Sequence, residues 1–145
     1  MAKKIKENVS INFMIISDYA FTGENGKVGI VGIFDLLGVP NFPAQHPEMF
    51  LVANIKGKEN SEHEVELILE NPNGENLLTP NPPKLKVRLS GTGSGNLIQR
   101  FLNLTFKQAG FHKFVLLIDG KKTGETQLSV IKINKNGKTA DTEAN

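Results

Sequence analysis

The chain has 145 residues, 39% of them hydrophobic and 22% charged, enough for one globular domain that buries about two-thirds of its unfolded surface. A formal net charge of +2 and a pI near 8.8 fall well short of the concentrated basic field that nucleic-acid binding needs, so nucleic acid is not an expected partner. The absence of cysteine excludes a disulfide framework, a thiolate metal site and a cysteine nucleophile, and suits a reducing compartment.

At the start, Met1-Ala2-Lys3-Lys4-Ile5-Lys6 followed by Ile11 to Ile16 imitates a secretion signal. The apolar run is too short, follows Glu7 and Asn8, and lacks a small-residue cleavage site before Asp18. It reads instead as a first strand. No stretch approaches the roughly 18 apolar residues of a membrane helix, so the expectation is a soluble, cytoplasmic protein. Gly23-Glu24-Asn25-Gly26 then turns the chain into a second run, Val28 to Phe34, and a third follows from Met49 to Ile55. These early runs are apolar on both faces, as in central strands or strands whose second face a loop covers. After Lys56-Gly57-Lys58, Val65, Leu67 and Leu69 alternate with Glu64 and Glu66, and beyond Asn71-Pro72-Asn73-Gly74, Leu85, Val87 and Leu89 alternate with Lys84, Lys86 and Arg88. Pro80, Pro82 and Pro83 between them fit a strand change between two sheets. Gly91 to Gly95 introduces a run with Ile98, Leu102, Leu104 and Phe106 as its inner row, broken at Arg100 as an edge or bulge would break it. Gly110 launches the run to Ile118, which Asp119-Gly120 turns back toward Ile133. No amphipathic helical stretch separates these runs, so a parallel sheet with crossover helices is excluded and an antiparallel sandwich or barrel remains. Residues 134–145 form a polar tail.

Asp18-Tyr19-Ala20, Asn25-Gly26-Lys27, Gly32-Ile33-Phe34-Asp35, Val39-Pro40, Phe42-Pro43 and His46-Pro47 occur in an order that resembles a family of small, uncharacterised bacterial proteins. A strand like Leu51-Val52-Ala53, a turn like Asn71-Pro72-Asn73-Gly74 and a hairpin like Phe114 to Val130 extend the resemblance over nearly the whole chain. It implies an immunoglobulin-like sandwich and no activity.

Signatures of chemistry fail on spacing. Gly120-Lys121-Lys122-Thr123 lies in a hairpin with no helix to cradle phosphate. Gly91-Thr92-Gly93-Ser94-Gly95 has the wrong glycine spacing for a nucleophile elbow or dinucleotide loop. His46, His63 and His112 are isolated, each read as a half-exposed polar residue, and no metal or other cofactor is expected. Asp18 and Asp35 end neighbouring strands and with His46 form the alternative polar site, a paired-carboxylate or cation site; in the plainer reading both accept loop amides. The row Lys84, Lys86 and Arg88 and the row Glu62, Glu64, Glu66 and Glu70 offset each other if their strands are neighbours. With no Trp and only Tyr19, platforms for sugar faces or single-stranded bases are lacking.

The connection Asp35 to Pro47 is unusual in carrying Leu36, Leu37, Val39 and Phe42 among three prolines. Either it plugs one open end of the core or it forms an exposed apolar patch for a protein partner. These readings lead to an all-β, antiparallel immunoglobulin-like β-sandwich of about seven to nine strands. It forms a single domain over residues 1–145 with an ordered core at 9–133. Its expected role is a non-enzymatic protein-interaction or accessory module, with an unknown protein or a second copy added at an edge strand. The alternative is a small-molecule or cation-binding protein or hydrolase at the loop end of the sandwich, using Asp18, Asp35 and His46.

Overall fold

The computed structural model describes residues 8–78 and 84–134; Pro80, Pro82 and Pro83, and the tail from residue 135 onward, lie outside the described residues. Period-2 alternation resolves into nine strands: β1 (Ser10–Thr22), β2 (Val28–Ile33), β3 (Leu36–Val39), β4 (Ala44–Lys56), β5 (Glu62–Glu70), β6 (Leu85–Arg88), β7 (Ser94–Phe106), β8 (Gly110–Ile118) and β9 (Lys121–Lys132). A single 3-10 turn, Glu24–Gly26, joins β1 to β2. Its Asn25 and Gly26, at φ 60° and 72°, are the residue types that adopt the left-handed region most readily.

The strands form an immunoglobulin-like sandwich of two sheets, ordered β2-β1-β4-β7 and β3-β9-β8-β5-β6. Alternate residues of each strand fill the space between them. Met49, Leu51, Ala53 and Ile55 of β4 join Val65, Leu67 and Leu69 of β5, Phe114, Leu116 and Ile118 of β8, and Leu128 and Val130 of β9 in one core. The rings of Phe101 and Phe114 meet across the two sheets at 5.3 Å. Each of the larger fully buried side chains contributes on the order of 1.5–3 kcal/mol.

Three expectations are corrected. The pairing is not wholly antiparallel, because β3 runs parallel to β9, Leu36 opposite Ser129 and Val39 opposite Lys132. The supposed loop Asp35 to Pro47 therefore begins as a strand and ends inside β4. The inner row of β7 is also different: Leu97 and Phe101 face the core before Asn103, and Leu104 and Phe106 face it afterwards. Asn103 sits at φ 55°, which reverses the strand's faces at that point, so Ile98 and Leu102 lie on the other side.

The acidic and basic rows do offset each other. β5 and β6 are neighbours, with Glu62 opposite Arg88 and Glu64 opposite Lys86, and Lys84 Nζ lies 3.3 Å from Glu64 and 3.6 Å from Glu66.

Candidate functional site

Since Met49, Leu51 and Ala53 point inward along β4, Phe50 and Val52 point to the outer face of the four-stranded sheet. They are buried all the same, because Phe13, Ala20, Val28, Ile30 and Ile98 pack with them in a second, smaller cluster. Tyr19 extends that cluster toward solvent, its ring edge-on to Phe50 at 5.4 Å and stacked on Phe21 at 5.8 Å. Phe21 in turn covers its cross-strand partner Gly29, where a Cβ would fall 2.2 Å from the ring. A larger residue there would have to displace the half-exposed Phe21 ring.

The exposed part of this surface is concentrated on one side of the molecule. Among the described residues, seven large apolar side chains are exposed, and five belong to β1, β2 and β3: Ile33 at 66%, Val31 at 55%, Leu36 at 53%, Tyr19 at 49% and Phe21 at 44%. From Val28 to Pro47 the only formal charge is Asp35. The opposite lateral side, formed by β6 and β7, carries Lys86, Arg88 and Arg100. Arg100 is held there by Glu48, its Nε donating to the carboxylate at 2.6 Å.

The residues singled out from the sequence divide. Leu36 is exposed and Leu37 half-buried, whereas Val39 is buried and Phe42 packs partly buried against the core. The segment thus both closes the core and presents one apolar side chain. Tyr19, Phe21, Val31 and Ile33 were not singled out, although the charge-free stretch and the two-faced apolar character of Val28 to Phe34 are visible in the sequence.

Asp18, Asp35 and His46 each have their own surroundings. Asp18 is exposed and its carboxylate lies against Gly32, where a Cβ would come within 2.5 Å of it. Asp35 is exposed between β2 and β3, its carbonyl accepting from Ser129 N–H at 2.8 Å. His46 is half-buried on β4, its ring 6.2 Å from that of Phe34. No hydrogen bond or ion pair joins any two of them, and no group of three His, Asp or Glu side chains among the described residues could hold a metal.

The other two histidines are buried rather than half-exposed. His63 belongs to an arrangement with the order of a hydrolytic relay: Ser61 Oγ lies 2.7 Å from His63 Nε2, and Nδ1 lies 2.7 Å from Asp119 Oδ2. The Ser61 hydroxyl is shared between two acceptors, since it also lies 2.6 Å from the Lys58 carbonyl. The neighbouring amides are also engaged, Ser61 N–H with Lys58 O and Asn60 N–H with Ser90 O, which removes the donors an oxyanion hole needs. Asp119 also accepts from Glu64 N–H at 3.0 Å. The three side chains therefore tie the start of β5 to the β8–β9 turn.

A cleft of about 730 Å³ opens beside β7, lined by Leu67, Asn76, Leu77, Arg100, Phe101 and Lys107 among others. Leu78 and Leu85, which flank the undescribed residues, also line it. Asp18, Asp35 and His46 do not.

Comparison with known proteins yields one family and remote structural neighbours. Residues 12–131 match the sequence model of a family of unknown function. No curated protein matches the chain. Among solved structures, the Pseudomonas fluorescens alkylpurine DNA glycosylase AlkC, bound to DNA containing an abasic site analogue, is similar at TM-score 0.51 and 9% identity, over 84% of this chain and 30% of that one. A Listeria innocua β-glucosidase in complex with isofagomine gives 0.48 and 9%, over 92% of this chain and 17% of that one. An immunoglobulin-like protein from Pseudomonas aeruginosa gives 0.42 and 13%, over 85% and 96%. The chain thus spans less than a third of the glycosylase and of the glucosidase. At such identities the likeness concerns the fold alone.

Proposed function

We propose that this chain, which belongs to the family of unknown function DUF6941, is a non-enzymatic protein-interaction module that docks its partner on the β1–β2–β3 side of the sandwich. The observation that supports this reading is the gathering of Tyr19, Phe21, Val31, Ile33 and Leu36, all exposed, on one lateral side. Apolar side chains scattered singly over a surface need no explanation, but Tyr19 opposite Val31 beside Phe21 forms a cross-strand group, which is a liability unless something covers it; Leu36 is exposed on the edge strand of the other sheet. Two of the five are aromatic and already braced against Phe50 and Gly29. Such pre-ordered rings lose little freedom on binding and make good anchors. The cysteine-free composition accords with placing the module in the cytoplasm of a bacterial cell.

Ile33→Glu combined with Leu36→Glu tests the reading. Both positions are exposed, so thermal stability should hold. The tagged wild-type chain should retain a stoichiometric protein from nuclease-treated lysate of its own organism, and the double variant should retain at least tenfold less. Equal retention by a folded variant would remove this surface as the docking site.

A further inference from the structure

We infer that the occupant of this surface is a second copy of the chain, the two copies pairing antiparallel through their β2 edges about a two-fold axis, so that two four-stranded sheets become one continuous sheet. The inference rests on the docking reading above and names its partner.

The first support is the state of the edges. Among the described residues β2 has β1 as its one strand neighbour, so alternate N–H and C=O groups along it face outward and can template another strand. The other free edges carry protection that β2 lacks. β6 has Lys86 and Arg88 in its four residues, β7 has Arg100 and the reversal at Asn103, and β3 is four residues long and followed by Pro40. β2 reads Val-Gly-Ile-Val-Gly-Ile, without charge or proline.

Charge then selects the partner. A strand that pairs with its own copy across a two-fold sets each charge near its like, which destabilises the pair. β2 has no charge to repel, and it offers a foreign strand none to read. The net charge of +2 adds little long-range repulsion between copies.

The register follows from the glycines. β2 pairs with β1 residue for residue from Val28 to Val31, and Gly32, at φ 71°, bends the strand beyond. A two-fold axis at Ile30 sets Ile30 against Ile30 of the second copy and Val31 against Gly29 of the second copy. Gly29 is the position whose open face the Phe21 ring fills, so Val31 of each copy reaches the Phe21 ring of the other. With Tyr19, Phe21, Val31 and Ile33 roughly half exposed, each copy has on the order of 300 Å² of apolar area to lose. Doubled and added to the strand edges, this lies below the roughly 1,200 Å² at which standard-size interfaces begin, in the range of weak, concentration-dependent association.

The absence of cysteine makes the test clean. Directly opposed residues of an antiparallel pair have Cα atoms about 4.5–5.5 Å apart, within disulfide range. In Ile30→Cys a disulfide can form only between copies, and mild oxidation should convert most of the protein to a covalent dimer. Lys86→Cys, on the far edge strand β6, should stay monomeric on denaturing gels. Sedimentation equilibrium of the wild-type chain from micromolar to near-millimolar concentration should show the mass rising toward twice that of the chain. Val31→Lys should give the monomer mass with an unchanged melting temperature. A monomer at every concentration, a dimer that survives Val31→Lys, or equal cross-linking at positions 30 and 86 would each overturn the inference. If the chain is monomeric but Ile33→Glu with Leu36→Glu still abolishes retention of another protein, the docking surface stands and only its occupant is wrong. If neither effect appears, both fail.

Discussion

His112 lies wholly buried on β8, its ring edge-on to Phe106 at 5.1 Å and its Nδ1–H donating to the Gly110 carbonyl at 3.1 Å. Nε2 has no hydrogen-bond partner, so the site suits the neutral ring. Burial lowers the pKa below the usual 6.5, with the Gly110 bond acting in the opposite direction. The unfolded chain therefore takes up this proton first as pH falls. Stability is full above the unfolded value and declines below it, by up to about 1.4 kcal/mol per pH unit until the folded pKa is reached. Urea unfolding at mildly alkaline, neutral and mildly acidic pH should show this decline, and His112→Phe should remove that component. A wild-type decline no larger than that of the variant would show that His112 does not carry it. The burial of both histidines was legible in the sequence as parity: His63 is in step with Val65, Leu67 and Leu69, and His112 with Phe114, Leu116 and Ile118. What the sequence could not show is how each ring is satisfied. His63 meets Asp119 from 56 residues away, and no local pattern records that pairing.

At the scale of elements, the alternating strands were the legible ones. β5, β6 and β8 have one apolar and one polar face or sit between neighbours, and their period survives folding. β3 was hidden because four residues are too few to establish a period, and because its ladder to β9 is formed with a strand more than ninety residues later in the chain, near its other end. β7 misled because one residue in the left-handed region, Asn103, changes the parity of everything after it. The segment around β3 carries a direct contrast. Phe42 packs against the core while Leu36 projects into solvent. Phe42→Asp should destabilise the domain by about 3 kcal/mol, through lost packing and a carboxylate forced toward an apolar interior. Leu36→Asp should stay within about 0.5 kcal/mol of wild type. Denaturant midpoints of the two variants decide the matter, and similar losses would mean that Leu36 is a core residue in solution.

For the molecule as a whole, the decisive property is the inequality of its two lateral sides. One, along β6 and β7, is edged by Lys86, Arg88 and Arg100; the other, along β1, β2 and β3, has five of the seven exposed large apolar side chains among the described residues, with Asp18 and Asp35 as its carboxylates. The two remaining exposed large apolar residues are Leu102 on β7 and Phe111 on β8; Phe111 shares a cross-strand row with Leu36, since both are register partners of Ser129 on β9. Leu102→Ser, on the far edge strand β7, should leave both stability and partner retention unchanged. Loss of retention in that variant, measured in the same pull-down as Ile33→Glu with Leu36→Glu, would mean that the docking surface extends beyond the β1–β2–β3 side.

The sequence by itself determined the class of fold, its turns, the improbability of a thiolate site and the presence of a long charge-free stretch. These are properties of nearest neighbours and of composition, which need no partner in space. Tertiary structure alone decided that His63 meets Asp119, that Val39 and Phe42 face inward, and that Ile33 and Leu36 reach solvent. Such facts depend on which strands become neighbours across the sandwich, and that is set by how all nine strands bury their apolar faces together.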